Sequence, residues 1–254
     1  MTNQFSLEGK VAIVTGAGRG IGRAIALAYA EAGADLCITA RTSAEIEQVA
    51  KEARSVHRAN AIAVVADQTR TEDVERVVVE TTERLGPVDV LVNNAGQPID
   101  SPLVDMSEAD AQALIDVNLM GPFRYLKAVA PSMIERRTGS IINIASMDAT
   151  IGTPNLSVYS ATKGGLTAAT RSLAAEWSRH GIRINAICPG YIATSANEHI
   201  LADERLRSII LKRIPMRRPG EPEDFGGIAV YLASEASAFV TGASFHVDGG
   251  ETAV

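Results

Sequence analysis

The sequence is poor in the residues that build metal centres and disulfide frameworks. It has two cysteines and four histidines in 254 residues, and the histidines form no HExxH motif or Cys/His cluster. Cys37 and Cys188 lie in apolar, strand-like runs without CxxC spacing, so we predict that both are buried and unpaired. We therefore expect neither a disulfide nor a metal site.

Long apolar runs and an excess of positive charge are also missing. No apolar run reaches the roughly 18 residues of a membrane span, and the start MTNQFSLEGK lacks the basic and apolar regions of a signal peptide. The net charge of −6 argues against a surface for nucleic acid or anionic lipid. Aromatic residues make up only 4% of the chain, which disfavours a strongly aromatic steroid pocket. We expect a cytoplasmic protein that binds neither nucleic acid nor membranes.

Short β-branched runs alternate with helical segments along the whole chain. The runs are solidly apolar, as in parallel strands covered on both faces, and the helical segments 20–33 and 71–86 end at glycine. This alternation predicts one α/β domain over residues 1–254: a doubly wound parallel sheet (Rossmann fold) of about seven strands with helices on both faces. The predicted strands are 11–15, 35–39, 61–65, 88–92, 140–145, 182–188 and 244–248.

One stretch interrupts the alternation. Residues 189–222 contain a charged amphipathic helix between proline-rich ends, close to where ligands bind in such a sheet. A substrate lid at about 190–220 is one interpretation, and a plain surface insertion is the other.

A glycine-rich turn follows the first predicted strand and opens a helix. In TGAGRGIG (15–22) the GxGxxG spacing fails at Ile21, but Gly16, Gly20 and Gly22 match TGxxxGxG. Such glycines let backbone N–H groups approach a pyrophosphate at a helix N-terminus. Asp67 and the NNAG segment (93–96) follow later strands on the same rim, where they would contact a dinucleotide or form turns.

The segment YSATK places a phenol and an ammonium four residues apart. Tyr159 and Lys163 therefore share one face of a helix. By itself this spacing is more typical of an amphipathic tyrosine beside a solvated lysine than of a catalytic pair.

With TGAGRGIG, NNAG, Asn118 in NLMG, Ser146 in IASM, YSATK and PGYIAT in this order, the chain resembles the classical short-chain dehydrogenase/reductase family from about residue 10 to 250. The resemblance implies that Tyr159 is the general acid/base and that Lys163 lowers its pKa and holds the nicotinamide ribose. It further implies that Ser146 bonds the substrate oxygen and that Asn118 anchors a water relay starting at Lys163.

These roles fit the chemistry of carbonyl reduction, which needs hydride on carbon and a proton on oxygen. A protonated lysine favours phenolate, and a serine hydroxyl can stabilise a developing alkoxide. The cofactor-binding residues predicted from the resemblance, the glycine loop and the strand ends are Gly16, Arg19, Gly20, Ile21, Gly22, Arg41, Asp67, Asn94, Ala95, Gly96, Tyr159, Lys163, Pro189, Gly190, Ile192 and Thr194.

The end of the second strand predicts the cofactor. An acidic residue there would bind the adenosine ribose, but Ala40 occupies that position and Arg41 follows it, so no carboxylate at that point repels a 2′-phosphate. Arg19 adds a second guanidinium. We predict NADP, with NAD possible if both arginines are merely solvated surface residues.

Three functions remain open. The first is an NADP-dependent carbonyl reductase or alcohol dehydrogenase, with substrate contacts at Gln97, Met147, Asp148 and Tyr191. The second is a 3-oxoacyl-carrier-protein reductase, and the third is a non-catalytic dinucleotide sensor, which would not need the proton-transfer residues.

A carrier protein is expected not to be the main partner. Pro131 and Ala175 stand where carrier-binding relatives tend to have arginines. The arginines that lie nearby and could substitute are Arg136, Arg137, Arg171 and Arg179.

The resemblance also implies an oligomer. In this family the YSATK helix and the helix before it, near 122–137, form subunit interfaces, usually of a tetramer. Ser160, Ala161, Gly164 and Gly165 would permit such close approach, although packing on the chain's own sheet would use them equally well.

Overall fold

A seven-stranded parallel sheet forms the centre of the molecule, in the order β3-β2-β1-β4-β5-β6-β7. The computed structural model describes residues 3–194 and 202–253. The strands are β1 (Val11–Thr15), β2 (Asp35–Ala40), β3 (Ala61–Val65), β4 (Val90–Asn93), β5 (Gly139–Ile144), β6 (Ile182–Pro189) and β7 (Ser244–Val247).

Helices cover both faces of this sheet. α1, α2 and α8 pack on one face, and α3, α5 and α6 pack on the other. Adjacent strand residues point to opposite faces, so Leu36 and Ile38 join the first core and Cys37 joins the second. The helices are α1 (Gly20–Glu31), α2 (Ser43–Val56), α3 (Thr71–Arg84), α4 (Glu108–Ile115), α5 (Gly121–Arg136), α6 (Ser157–Trp177), α7 (Glu204–Arg213) and α8 (Gly226–Ala233).

The predicted doubly wound sheet is confirmed, with small differences at strand ends. The fourth strand starts at Val90 instead of residue 88. Asp89 precedes it and uses its carboxylate to accept hydrogen bonds from the Val11 N–H at 3.0 Å and from Arg136 at 2.8 Å. These contacts hold the residue in the connection before the strand.

The strand order reverses between β1 and β4, so a crevice opens there at the carboxyl ends of the strands. This is the edge to which the glycine turn, Asp67 and NNAG belong.

Other expectations from the sequence have different outcomes. Cys37 and Cys188 are both buried and free, as predicted. The predicted charged helix of the 189–222 region is α7, whereas residues 195–201 of the predicted lid lie outside the described part of the chain. Within 3–194 and 202–253, no helix has the length and apolar character to cross a membrane, and no cluster of metal-ligating side chains is found.

Candidate active site

The glycine turn is clamped against the end of β4. The Asn94 side-chain amide donates to the carbonyls of Thr15 and Gly16 at 2.8 and 3.1 Å. A Cβ at Gly22 would overlap Asn94 Nδ2 and lie 2.6 Å from the Gly16 carbonyl oxygen. Gly16 has a φ of +62°, and a Cβ there would lie 2.8 Å from the Cα of Ala95. The chain can make this turn only with glycine at both positions.

The N-terminus of α1 faces the crevice with free backbone donors. Its N-cap residue, Arg19, makes no side-chain capping hydrogen bond in the described part of the chain. Gly20, which follows, has a left-handed φ of +56°. First-turn N–H groups and the helix dipole therefore remain available to an anion such as a pyrophosphate.

Two guanidinium groups line the crevice next to the glycine turn and the end of β2. Arg19 and Arg41 line it, and neither forms an ion pair within residues 3–194 and 202–253. Unpaired guanidinium groups suit a phosphate.

Ala40 leaves no carboxylate at the end of β2, as predicted, but an acidic side chain reaches this end from α2. Glu45 of α2 also lines the crevice, with its Oε2 only 2.8 Å from where a Cβ of Gly18 would be. The sequence pattern tests only position 40, whereas α2 returns an acidic side chain from five residues further on. A phosphate held by Arg19 and Arg41 would therefore share this end of the cavity with the Glu45 carboxylate.

Asn118 lies in a π-helical turn, Asp116–Met120, between α4 and α5. Its side chain is fully buried and bonds the backbone of Gln97 twice, accepting from the N–H at 2.9 Å and donating to the carbonyl at 2.8 Å. A Cβ at Gly96 would lie 3.0 Å from Asn118 Oδ1 and 3.2 Å from Lys163 Nζ. Asn118 therefore fixes the backbone that follows β4, close to Lys163.

Helix α6 brings Tyr159 and Lys163 to the end of β5. The Lys163 ammonium is buried and donates to the Ile144 carbonyl at 2.8 Å. It lies 5.8 Å from the centroid of the Tyr159 ring. Ser146, just after β5, has its hydroxyl 3.0 Å from the carboxylate of Asp148, to which it donates.

Burial shifts the pKa values of both Tyr159 and Lys163. Burial raises the pKa of Tyr159 to about 12, while the Ser146 hydroxyl opposes the rise and Asp148 adds to it. Burial also lowers the pKa of Lys163 to about 8. Burial is thus the largest influence on the Tyr159 pKa, and the ammonium that the resemblance assigns to lowering this pKa donates to the Ile144 carbonyl.

The opposite end of the crevice is rich in polar side chains. Asp148 is buried and accepts hydrogen bonds from Ser146 and Thr153. Arg213, at the end of α7, reaches Glu251 in the turn after β7, with Arg213 Nε 3.1 Å from Glu251 Oε1. Tyr191 completes this end, which we call the substrate end.

All of these groups share one cavity of about 690 Å³. Every predicted site residue lines it except Gly22 and Asn118. These two lie just outside the lining, where Gly22 packs closely against Asn94 and Asn118 bonds the backbone of Gln97. The sequence interpretation missed Gln68, Glu45, Arg213 and Glu251 among the lining residues. These are isolated charged or amide side chains with no motif around them, so only the fold reveals their position.

Comparison with known proteins agrees with this geometry. The family model described as enoyl-(acyl carrier protein) reductase matches residues 16–252. A gluconate 5-dehydrogenase of Gluconobacter oxydans is 39% identical over 98% of this chain and 96% of its own length. A 3-oxoacyl-acyl-carrier-protein reductase of Thermotoga maritima is 38% identical over 96% and 98%.

A solved structure is similarly close. The gluconate 5-dehydrogenase from Burkholderia cenocepacia, in complex with NADP and tartrate, superimposes with a TM-score of 0.94 at 38% identity, covering 99% of this chain and 98% of that one. Near-complete coverage at this identity, the family match and the shared sheet lead to one conclusion. The chain belongs to the classical short-chain dehydrogenase/reductase family.

Proposed function

We propose that this protein is an NADP-dependent oxidoreductase that interconverts a secondary alcohol of a small hydroxylated acid and the corresponding ketone. The observation that carries the proposal is the single cavity. It joins an anion-binding end, the proton-transfer residues Ser146, Tyr159 and Lys163, and a polar substrate end.

The residues of the chain fit a nicotinamide dinucleotide. The glycine turn and the open N-terminus of α1 would hold the pyrophosphate, and Arg19 and Arg41 would hold a 2′-phosphate. Pro189, Gly190, Ile192 and Thr194 line the cavity beside Lys163, as proposed for the nicotinamide end. When bound, the cofactor supplies or accepts the hydride.

We assign the transfer of the proton to Tyr159. With its pKa raised to about 12, the phenol is protonated at neutral pH and can donate to the oxygen of a carbonyl during reduction. For oxidation it must first lose that proton. A positive charge beside the ring favours the phenolate, and both Lys163 and an oxidised nicotinamide provide one.

Ser146 positions the oxygen that receives the proton. Its hydroxyl donates to Asp148 at 3.0 Å and accepts from the Asp148 N–H at 3.1 Å. Rotation of the hydroxyl hydrogen away from Asp148 would direct it to the substrate oxygen, which Tyr159 also faces. Loss of such a donor typically lowers the rate by on the order of a hundredfold or more.

The chemistry of the substrate end supports a small, hydroxylated substrate. Carboxylates of Asp148 and Glu251 can accept hydrogen bonds from hydroxyl groups, and Arg213 can pair with an anionic group. The relatives named gluconate 5-dehydrogenase fit this substrate class.

A 3-oxoacyl-carrier-protein reductase is the alternative that the Thermotoga relative raises. Two of the nearby arginines have partners within the chain: Arg136 pairs with Asp89 at 2.8 Å, and Arg137 donates to the Arg179 carbonyl at 2.8 Å. This engagement and the absence of arginine at Pro131 and Ala175 argue against docking of an acidic carrier. A dinucleotide sensor would not need Ser146, Tyr159 and Lys163 in one cavity.

We also propose one catalytic domain with a lid at about 190–220, assembled as a homotetramer in the cytoplasm without nucleic-acid or membrane partners. The exposed face of α6 supports the assembly, because Ala161, Ala168 and Ala175 lie seven residues apart on it and are all exposed. Two buried, unpaired cysteines suit a reducing compartment. Light scattering after size-exclusion chromatography tests the tetramer, and a monomer would contradict it.

A substrate screen tests the proposed function. Aldonates, neutral polyols, simple ketones and 3-oxoacyl thioesters, free and carrier-linked, would be assayed by the absorbance of NADPH. We expect the highest kcat/KM with a hydroxy acid or its keto acid. A marked preference for carrier-linked thioesters would favour the alternative, and cofactor binding without any turnover would favour the sensor.

A further inference from the structure

The substrate end contains an ion pair formed by two distant segments. Arg213 is the last residue of α7, and Glu251 lies in the turn after β7. The Glu251 side chain is 4% exposed and that of Arg213 is 48% exposed. The pair therefore extends from the interior of the cavity toward solvent.

The turn that carries Glu251 is held by its own hydrogen bonds. Asp248 accepts from the N–H and the hydroxyl of Thr252, at 2.9 and 2.6 Å. The segment after α7 is tied to the same turn, because the Met216 N–H donates to the Gly249 carbonyl at 3.1 Å. Glu251 is thus fixed in place before any ligand arrives.

The substrate end has unused hydrogen-bonding capacity. Among the residues that the structure describes, Glu251 Oε2 and the Tyr191 hydroxyl are buried without a hydrogen-bond partner, and both residues line the cavity. Buried polar atoms are normally satisfied by protein, water or ligand. Arg213 has five N–H donors and its contact with Glu251 uses Nε, which leaves its terminal nitrogens for a second anion.

We propose that Arg213 and Glu251 determine specificity at the distal end of the substrate. Arg213 binds a carboxylate, and Glu251, together with Tyr191, binds the hydroxyl group beside it. The ligand is a hydroxylated carboxylic acid whose carboxylate lies several atoms from the reacting carbon. This inference rests on the proposed function and deepens it.

The arrangement of charges explains why both groups of the ligand are needed. Asp148 and Glu251 together would repel an anion that approached without a cation. A ligand that directs hydroxyl donors to the carboxylates and its own carboxylate to Arg213 satisfies every one of these groups. A neutral polyol would leave the terminal nitrogens of Arg213 without an anionic partner.

A binding experiment separates recognition from a purely structural latch between α7 and the turn. Isothermal titration of the NADPH-loaded protein with D-gluconate and with sorbitol avoids turnover, because the reduced cofactor cannot oxidise an alcohol. The variants are Arg213→Gln, Arg213→Lys and Glu251→Gln. The control is Lys212→Gln, which changes the neighbouring exposed residue of α7 that does not line the cavity.

We expect Arg213→Gln to raise the Kd for gluconate by about tenfold or more, since a charge-assisted hydrogen bond is lost, and to change the Kd for sorbitol by less than about twofold. Arg213→Lys should restore part of the loss. Glu251→Gln should weaken both ligands, and Lys212→Gln neither.

Equal effects of Arg213→Gln on both ligands, or no effect on either, would overturn the inference even if gluconate is a substrate. Failure of the proposed function would be visible separately, as an unmodified protein that reduces other carbonyls but neither binds nor oxidises any hydroxy acid. That result would overturn the inference as well.

Discussion

The two ends of the cavity are built in different ways. At the cofactor end, short contiguous segments place backbone groups: the glycine turn, the start of α1 and the end of β4. At the substrate end, single side chains come from the segments after β5 and β6, from α7 and from the turn after β7. The cofactor end therefore depends on glycine residues and on the local conformation of contiguous segments. The substrate end depends on the charges of individual side chains that the fold brings together from distant parts of the sequence.

The largest expected effect lies where the two ends meet. Tyr159→Phe should lower kcat by about 10²–10⁴-fold, because only the transferable proton is removed. The Kd for NADP should stay nearly constant. Tyr231→Phe, in α8 and outside the cavity, is the matched control. A Tyr159→Phe protein that retains more than about a tenth of the wild-type kcat would contradict the acid/base role.

The cofactor end should be sensitive to a single methyl group. Gly22→Ala places a Cβ against Asn94 Nδ2 and the Gly16 carbonyl, so we expect about 1–3 kcal/mol less stability and weaker NADP binding. Gly227→Ala is the control, since a Cβ there meets no atom within 4 Å. Thermal unfolding and NADP titration measure both effects. Equal stability and equal NADP affinity of the two variants would show that the turn can shift to accommodate the added methyl group.

The pH dependence tests the buried lysine. Its pKa is lowered from 10.5 to about 8, so Lys163 is charged below that pH and neutral above it. The roles proposed for Lys163, binding the nicotinamide ribose and favouring the Tyr159 phenolate, both need the ammonium form, so kcat/KM for ketone reduction should be flat at neutral pH. It should then fall about tenfold per unit above pH 8. A profile that stays flat to pH 10 would mean that the amine does not titrate in this range.

The smallest expected effect concerns the acidic residue beside the two arginines. Glu45→Gln removes a negative charge from the end of the cavity that Arg19 and Arg41 line, and we expect a few-fold tighter binding of NADP with little change for NAD. Glu47→Gln changes an exposed residue of the same helix and serves as control. Unchanged NADP affinity in Glu45→Gln would mean that the Glu45 carboxylate lies too far from the 2′-phosphate to weaken its binding.

The same contrast explains what could be predicted from the sequence. The seven strands and the turn at Gly16 and Gly20 were predictable, because apolar periodicity and glycine spacing are local signals. Ser146, Tyr159 and Lys163 were found through motif order, and the fold brings them together.

The remainder depends on distance in space and not on local sequence. Arg213 and Glu251 are 38 residues apart and belong to no motif, so their contact appears only in the folded chain. Glu45 is similar, since helix α2 returns it to the glycine turn. The raised pKa of Tyr159 could not be predicted either, because its largest cause is burial, which the sequence does not quantify.

The most direct test of the account is the cofactor preference of the unmodified protein, measured as kcat/KM with NADP and with NAD on its best hydroxy-acid substrate. We predict a clear preference for NADP, because Arg19 and Arg41 can bind the 2′-phosphate and Ala40 cannot repel it. Ala40→Asp should move the preference toward NAD. Equal or higher kcat/KM with NAD in the unmodified protein would contradict the assignment of the cofactor end.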